Sequence, residues 1–549
     1  MNVRSLSVLL TTLVLSCAPA ATPPRTAPAQ PQLKATAVAK RVVLFSFDGL
    51  GADALARQKN LPAFERLARE GATARVINVN PTLTGPAHVS ILTGADPQRH
   101  GIIANRFHLP GTPAERMARG MSVDPDVENI IEAARRQGKR VGVVSFPTID
   151  NTSTRRGADF GMSWSYPLVP ARMVELTRAD FRREWVPPTW SERPQRRRSY
   201  SPIMRARIEW SIPRVTRADV DLVAYDTTDD RTANYDTYFV ETGEREFDAR
   251  DWFPVSKRTS SGLHGSWSKV VSATPALDVN LYWGPISRND AWPASFREML
   301  DEEVGFWPGQ PEEELDVDAS VFVEQNQRLA DYYTRAQTLT IARVPFDLLL
   351  IYQAEIDVAE HRYLGTPDEE RVVGAAFATA DRALSSVTEV MDPSDALVVV
   401  GDHGLVPVTR EVLVNRLLAE RGFAPRWRAF SSGALAHFYR AGDPDDADAL
   451  VNMLTATGFF ERVEKKTAAM HRNNGDVIAY AYPNIALTAA DEPANPHGQH
   501  GGLNTHRELH PVFFAYGTGV APGPLGEIAQ TRIAGYVAEL LGIETFGVR

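Results

Sequence analysis

The sequence predicts an α/β protein with a mostly parallel central sheet flanked by helices and a strand-rich inserted cap. Three observations lead there. The segment RVVLFSFDGL carries an apolar run from Val42 to Phe47, broken only by Ser46 and ending on Asp48 and Gly49. That is the pattern of a strand buried on both faces of a parallel sheet. Similar runs alternate with helical periodicity along the chain, as in βαβ architecture. Between about residues 157 and 319 the alternation gives way to Trp-, Tyr- and Pro-rich sequence with the two-residue period of half-exposed strands.

At 549 residues the chain exceeds what one compact core usually organises, so a large domain with insertions is expected. With 43% hydrophobic residues it can bury a sizeable core. A net charge of −9 gives no electrostatic basis for binding a nucleic acid polymer.

In chain order, MNVRSLSVLLTTLVLS has a basic position at Arg4 and an apolar run from Leu6 to Leu15, which reads as a secretory signal. The run is too short and too rich in Ser and Thr to span a membrane. Val14-Leu15-Ser16-Cys17 resembles a bacterial lipobox, which implies lipid on Cys17 and an exported, membrane-anchored body in the periplasm or at the cell surface. Cys17 is the single cysteine, so the mature body has no internal disulfide. Residues 18–40 are mainly Pro, Ala, Thr and Gln, the composition of a flexible tether.

The catalytic α/β region is expected over 41–549. After the Val42 strand come a helix in LPAFERLARE, an extended TARVINV, the helix VENIIEAARRQGK and the strand RVGVVSF. Within the cap, VDLVAYDTT and ALDVNLYWG alternate as strands do. Beyond it YYTRAQTLTIARV, DLLLIYQ, AAFATADRALSSVTEVM and ALVVVGDHG resume the α/β pattern. A smaller insertion at about 422–494 holds the strand ALAHFYR and the helix DADALVNMLTATG. PVFFAYG and the helix IAGYVAELLG close the chain.

Four clusters carry chemistry. Thr84 precedes Gly85, Pro86 and the helical AHVSILTG. A hydroxyl there lies among free backbone N–H groups at the positive end of a helix, which suits attack on an anionic phosphorus, although a Thr at that place commonly just caps the helix. Asp357 and His361 are four apart, so a helical turn puts them on one face. Asp402 and His403 leave a buried strand, and His500 lies in the Gly-rich NPHGQHGGLN loop. With Asp48 these residues give mixed oxygen and nitrogen donors at predicted strand ends, where ligands of α/β sheets bind. Mixed Asp and His donors suit zinc, and two metals about 4 Å apart are a recurrent device for phosphoryl displacement.

These segments resemble the alkaline phosphatase superfamily, and within it the nucleotide pyrophosphatase/phosphodiesterase family with its bacterial type I phosphodiesterase-like members. The resemblance rests on FSFDG at Asp48; on Thr84, Pro86, His88, Thr93-Gly94, Pro97, His100-Gly101-Ile102 and Asn105; on Asp357 with His361; on GDHG at Asp402; and on HGG at His500. It spans nearly the whole core and does not cover the caps. It implies an alkaline-phosphatase-like core and two divalent ions, most simply zinc. Asp48, Thr84, Asp402 and His403 would hold one ion, and Asp357, His361 and His500 the other. Thr84 would be the nucleophile, forming a phospho-threonine, with Asn105 and the backbone of the Thr84 turn donating to a phosphoryl oxygen. His88 and His100 are expected to be structural.

The chain also departs from the family. Gly85 stands where nucleotide-hydrolysing members often carry an aromatic, Glu360 precedes His361 where Gly is common, and His497 rivals His500. A sulfatase needs Cys or Ser at the nucleophile and Arg four residues on, and Thr84 and His88 supply neither. A phosphonoacetate-hydrolase-like enzyme, a phosphomonoesterase of the same superfamily, and a surface lipoprotein that only binds a ligand stay open. The substrate is expected to be a small phosphodiester or pyrophosphate. Phe146-Pro147-Thr148 follows the strand where monoesterases carry cations, and the next positive charges are Arg155 and Arg156.

Overall fold

The structure is a computed structural model that describes residues 33–544, except 114, 184–198, 243–244, 312–314, 316 and 442–445. The expected signal segment and Cys17 lie outside the described residues. Among the described residues no helix is long and apolar enough to cross a membrane.

A nine-stranded sheet organises the molecule. Its strands are β1 (Val42–Phe47), β2 (Ala72–Ile77), β3 (Val141–Val144), β4 (Phe160–Met162), β5 (Ala291–Trp292), β6 (Leu348–Gln353), β7 (Ala396–Gly401), β8 (Val512–Gly517) and β9 (Gly523–Ala529). They lie in the order β5-β4-β3-β6-β1-β7-β8-β2-β9. From β4 to β7 every pairing is parallel. The sheet is nonetheless mixed, because β8 runs antiparallel to both β7 and β2 and β5 runs antiparallel to β4. β9, which the sequence reading passed over, pairs parallel with β2 at the edge.

Every residue of β1, β6 and β7 is buried, as the nearly continuous apolar runs require of strands covered on both faces. The helices Ala319–Arg343, Glu369–Glu389 and Pro62–Glu70 pack in one group, and Thr84–Thr93, Ile130–Arg136 and Arg532–Leu541 in another. Pro62 opens its helix where no N–H is needed. The next two free N–H groups, of Ala63 and Phe64, both donate to Asp381 Oδ1 at 2.9 Å, which ties that helix to Glu369–Glu389.

The strand-rich cap is a pair of sheets around its own core, which includes Trp210, Leu222, Phe253, Leu281 and Trp283. It is narrower than the expected 157–319, running from the strand Arg172–Leu176 to Ser287–Arg288. Phe160 and Met162 on one side, and Phe296 and Leu300 on the other, belong to the main core instead. The second insertion is a four-stranded sheet containing Leu435–Arg440 with the helix Ala447–Ala456. The tether also ends earlier than residue 40. Leu33 and Ala39 are buried, and the Ala39 N–H donates to Leu540 O at 2.8 Å on the closing helix.

Candidate active site

The register of the sheet builds the first half of the site. Phe47 pairs with Gly401 across β1 and β7 and with Gln353 across β1 and β6, so the residues just past these ends converge. Asp48 and Asp402 follow directly, both buried. Gly49 has φ +72, and a Cβ there would meet the Asp357 backbone at 2.9 Å, so only glycine lets this turn pass so close to the next helix. Asp402 Oδ1 accepts from the N–H groups of Gly49 at 3.1 Å and of His403 at 2.9 Å. Its other oxygen lies 3.1 Å from His403 Nε2, which is also 3.4 Å from Asp48 Oδ1.

Thr84 is the first residue of the wholly buried helix Thr84–Thr93, and the capping position belongs to Leu83. Its hydroxyl therefore does not cap the helix. It lies 3.2 Å from His403 Nε2. His88, one turn on, places Nδ1 2.8 Å from Thr84 O and Nε2 2.8 Å from Ser46 Oγ, pinning the helix start to β1. His100 is held by Ser90 Oγ at 3.0 Å and by the Ile102 N–H at 3.1 Å. Both imidazoles are thus engaged by hydroxyl and backbone groups, and His88 Nδ1 also lies 3.5 Å from Asp402 Oδ2.

The second half comes from the helix Glu355–Tyr363 and the loop at His500. His361 Nε2 lies 3.4 Å and His500 Nε2 3.9 Å from Asp357 Oδ1. The Nδ1 atoms sit 2.8 Å from Gly498 O for His361 and 3.0 Å from Thr82 O for His500. A proton donated from Nδ1 to a carbonyl leaves Nε2 with a free lone pair, the form a ligand must take. The rings of His403 and His500 stack with centroids 3.6 Å apart, which joins the two halves. All six predicted Asp and His ligands and Thr84 are thus brought to one place. His403 falls within both tight donor groups, Asp48/Asp402/His403 and Asp357/His403/His500, while His361 flanks the second. His497 lies in a neighbouring groove beside His361 and outside these groups.

The residues present fit divalent cations. Asp48 Oδ1 and Asp402 Oδ2 are buried and accept no hydrogen bond, so their lone pairs converge without a donor. Burial raises the pKa of both carboxyls, and their mutual repulsion raises that of Asp48 further. Burial pushes His403 down to about 4 and His500 well below the usual range, so neither imidazole supplies the missing positive charge at neutral pH. Tyr352 meets part of the need, its hydroxyl donating to Asp48 Oδ2 at 2.5 Å.

Asn105 reaches the Thr84 turn, as the expected pairing with the backbone of that turn requires, and one amide of the turn is already spent on it. Its Oδ1 accepts the Gly85 N–H at 2.8 Å, so this amide orients the carboxamide and only the Asn105 NH₂ remains to donate. Thr84 and Asp48 line a cleft of about 400 Å³ with Phe146, Pro147, Trp164, Tyr166, Tyr352 and Arg106 among its walls. Arg155 and Arg156 stay out of it. Arg156 pairs with Asp124 at 3.0 Å and Asp150 at 3.3 Å, and Arg155 donates to Pro125 O at 2.7 Å. Tyr352, Trp164, Tyr166 and Arg106 were not singled out from sequence. Arg106 follows Asn105 directly, and that adjacency was the one available signal.

The family model for type I phosphodiesterase / nucleotide pyrophosphatase matches residues 42–503. The chain belongs to this family. Similar curated proteins include a mouse bis(5'-adenosyl)-triphosphatase enpp4, 42% identical over 71 residues, which are 13% of this chain and 15% of that protein. Another is human ectonucleotide pyrophosphatase/phosphodiesterase family member 1, 33% identical over 127 residues, covering 22% of this chain and 14% of that one. The matched segments thus span about a seventh of these relatives' length. Among solved structures, murine ectonucleotide pyrophosphatase/phosphodiesterase 5 is similar over 92% of this chain and 95% of its own, with TM-score 0.53 and 14% identity. That likeness is one of fold.

Proposed function

We propose that the protein is a metal-dependent hydrolase that cleaves phosphodiester or pyrophosphate bonds through a phospho-threonine at Thr84. The observation that carries this reading is the Thr84 hydroxyl, 3.2 Å from His403 Nε2 where two groups of carboxylates and imidazoles meet. Asp48, Asp402 and His403 with Thr84 would hold one divalent ion, and Asp357, His361 and His500 the other, zinc being the simplest match to this donor set. Bound there, the ions lower the pKa of a hydroxyl or water and offset charge on phosphoryl oxygens.

In the first step Thr84 Oγ gives up its proton to solvent and attacks phosphorus, its O–P bond forms, and the bond to the leaving oxygen breaks, that oxygen taking up a proton from water. The NH₂ of Asn105, oriented by Gly85, donates to a phosphoryl oxygen. Water then attacks the phospho-threonine, breaking the Thr84 O–P bond and releasing a phosphomonoester. The apolar walls of Phe146, Pro147, Trp164 and Tyr166 suit a substrate with an ester substituent. A bis(5'-adenosyl)-triphosphatase among the sequence relatives, and a fold relative studied as an inactive variant in complex with AMP, support a nucleotide-sized substituent.

The test is the ratio of kcat/KM for bis-p-nitrophenyl phosphate to that for p-nitrophenyl phosphate. A ratio above one is expected, and a ratio well below one refutes the diesterase assignment. Export and a lipid anchor at Cys17 belong to the same reading. Labelled fatty acid is expected in the wild type and absent from Cys17→Ser, and equal labelling of both rejects the anchor.

A further inference from the structure

One cationic side chain of the cleft takes no part in these two steps. Arg106 lines the same cavity as Thr84 and Asp48, and it is the only Lys, Arg or His among the described lining residues. Its backbone is fixed, because it opens the strand Arg106–His108 and its N–H donates to Ser432 Oγ at 3.1 Å. Phe107, next along the strand, is fully buried in an apolar cluster, so the two-residue alternation turns Arg106 away from that cluster toward the cleft. Arg106 itself is exposed. Its guanidinium forms no hydrogen bond or ion pair among the described residues. The nearby carboxylate of Asp150 is already engaged by Arg156 and by Thr152.

Position separates this cation from the reacting centre. Thr84 and Asp48 are buried at the floor, 6% and 2% exposed, whereas Arg106 stands at the exposed rim. A phosphorus seated at Thr84 lies beside the Asn105 carboxamide, which accepts from the Gly85 N–H, and Arg106, next in the chain, lines the same cleft at its exposed side. An unpaired guanidinium offers a planar fork that matches an anionic oxygen pair.

We propose that Arg106 is a specificity-determining residue that holds a second anionic group of the substrate, carried beyond the phosphorus that Thr84 attacks. The next phosphate of a pyrophosphate linkage is the simplest such group. The assignment rests on the phosphodiesterase reading. It makes the enzyme prefer substrates whose substituent is itself phosphorylated over diesters with uncharged substituents.

The test compares kcat/KM on three substrates: diadenosine triphosphate, the p-nitrophenyl ester of thymidine monophosphate, and p-nitrophenyl phosphate. Relative to wild type, Arg106→Ala is expected to lower the ratio of the first to the second by roughly 10- to 100-fold, the scale of a lost charge-assisted contact, and Arg106→Lys to recover part of it. Turnover of the thymidine ester in the same preparation shows that the variant folds. An unchanged ratio in an active Arg106→Ala variant overturns the inference alone. A loss centred on p-nitrophenyl phosphate also overturns it, since Arg106 would then contact the reacting group. A wild type unable to cleave the thymidine ester strikes the phosphodiesterase reading itself.

Discussion

The two halves of the site use the same residue types but are built by different means. Asp48, Asp402 and His403 leave adjacent parallel strands, and their side chains are 3%, 0% and 0% exposed. Asp357, His361 and His500 come from one helical turn and a Gly-rich loop, and are 15%, 29% and 6% exposed. Sheet register fixes the first group, so its geometry cannot relax without breaking the core. The second is held through two imidazole-to-carbonyl contacts and meets solvent at His361. The first half should therefore hold its ion as part of the fold, and the second should exchange its ion with solution.

The largest effect expected from this contrast is at the buried half. Asp402→Ala removes a proposed ligand and leaves Asp48 buried beside the gap, so activity should fall by more than about 100-fold, beyond the usual cost of an outer-shell partner, without recovery in added zinc. Metal analysis should show loss at the site. Full recovery in added zinc would erase the distinction between the halves.

A smaller effect is expected at the exposed half. His361→Ala should lower activity by about 10- to 100-fold at low zinc and regain much of it as zinc is raised, because solvent can fill the vacated position. Titrating activity against free zinc in this variant and in Asp402→Ala sharpens the comparison. Identical titration curves would contradict it.

The same contrast explains what was legible in the sequence. Asp48, Asp402 and His403 stand at the ends of nearly continuous apolar runs, and Asp357 and His361 are separated by one helical turn, so local pattern located them. Strand direction is not local. The apolar run at Val512–Gly517 reads the same whether parallel or antiparallel, and it runs against its neighbours. Gly523–Ala529 contains two glycines and a proline and lacks a buried run, so it did not read as a strand. Leu33 and Ala39 sit in tether-like composition, and their segment is held by residues far along the chain, at Ser394, Gly519 and Leu540. Tyr352 looked like one more apolar position of β6, since its role depends on Asp48, 304 residues away.

The central claim is that Thr84 takes up the phosphoryl group at a site that binds metal independently of that hydroxyl. Acid quenching during turnover of a phosphodiester, followed by peptide mass spectrometry and metal analysis, tests it directly in the wild type and in Thr84→Ala. A phosphoryl group still carrying the retained ester substituent is expected on Thr84 of the wild type, with turnover abolished and metal content largely retained in Thr84→Ala. The same adduct on Thr82, or turnover retained in Thr84→Ala, would contradict the account.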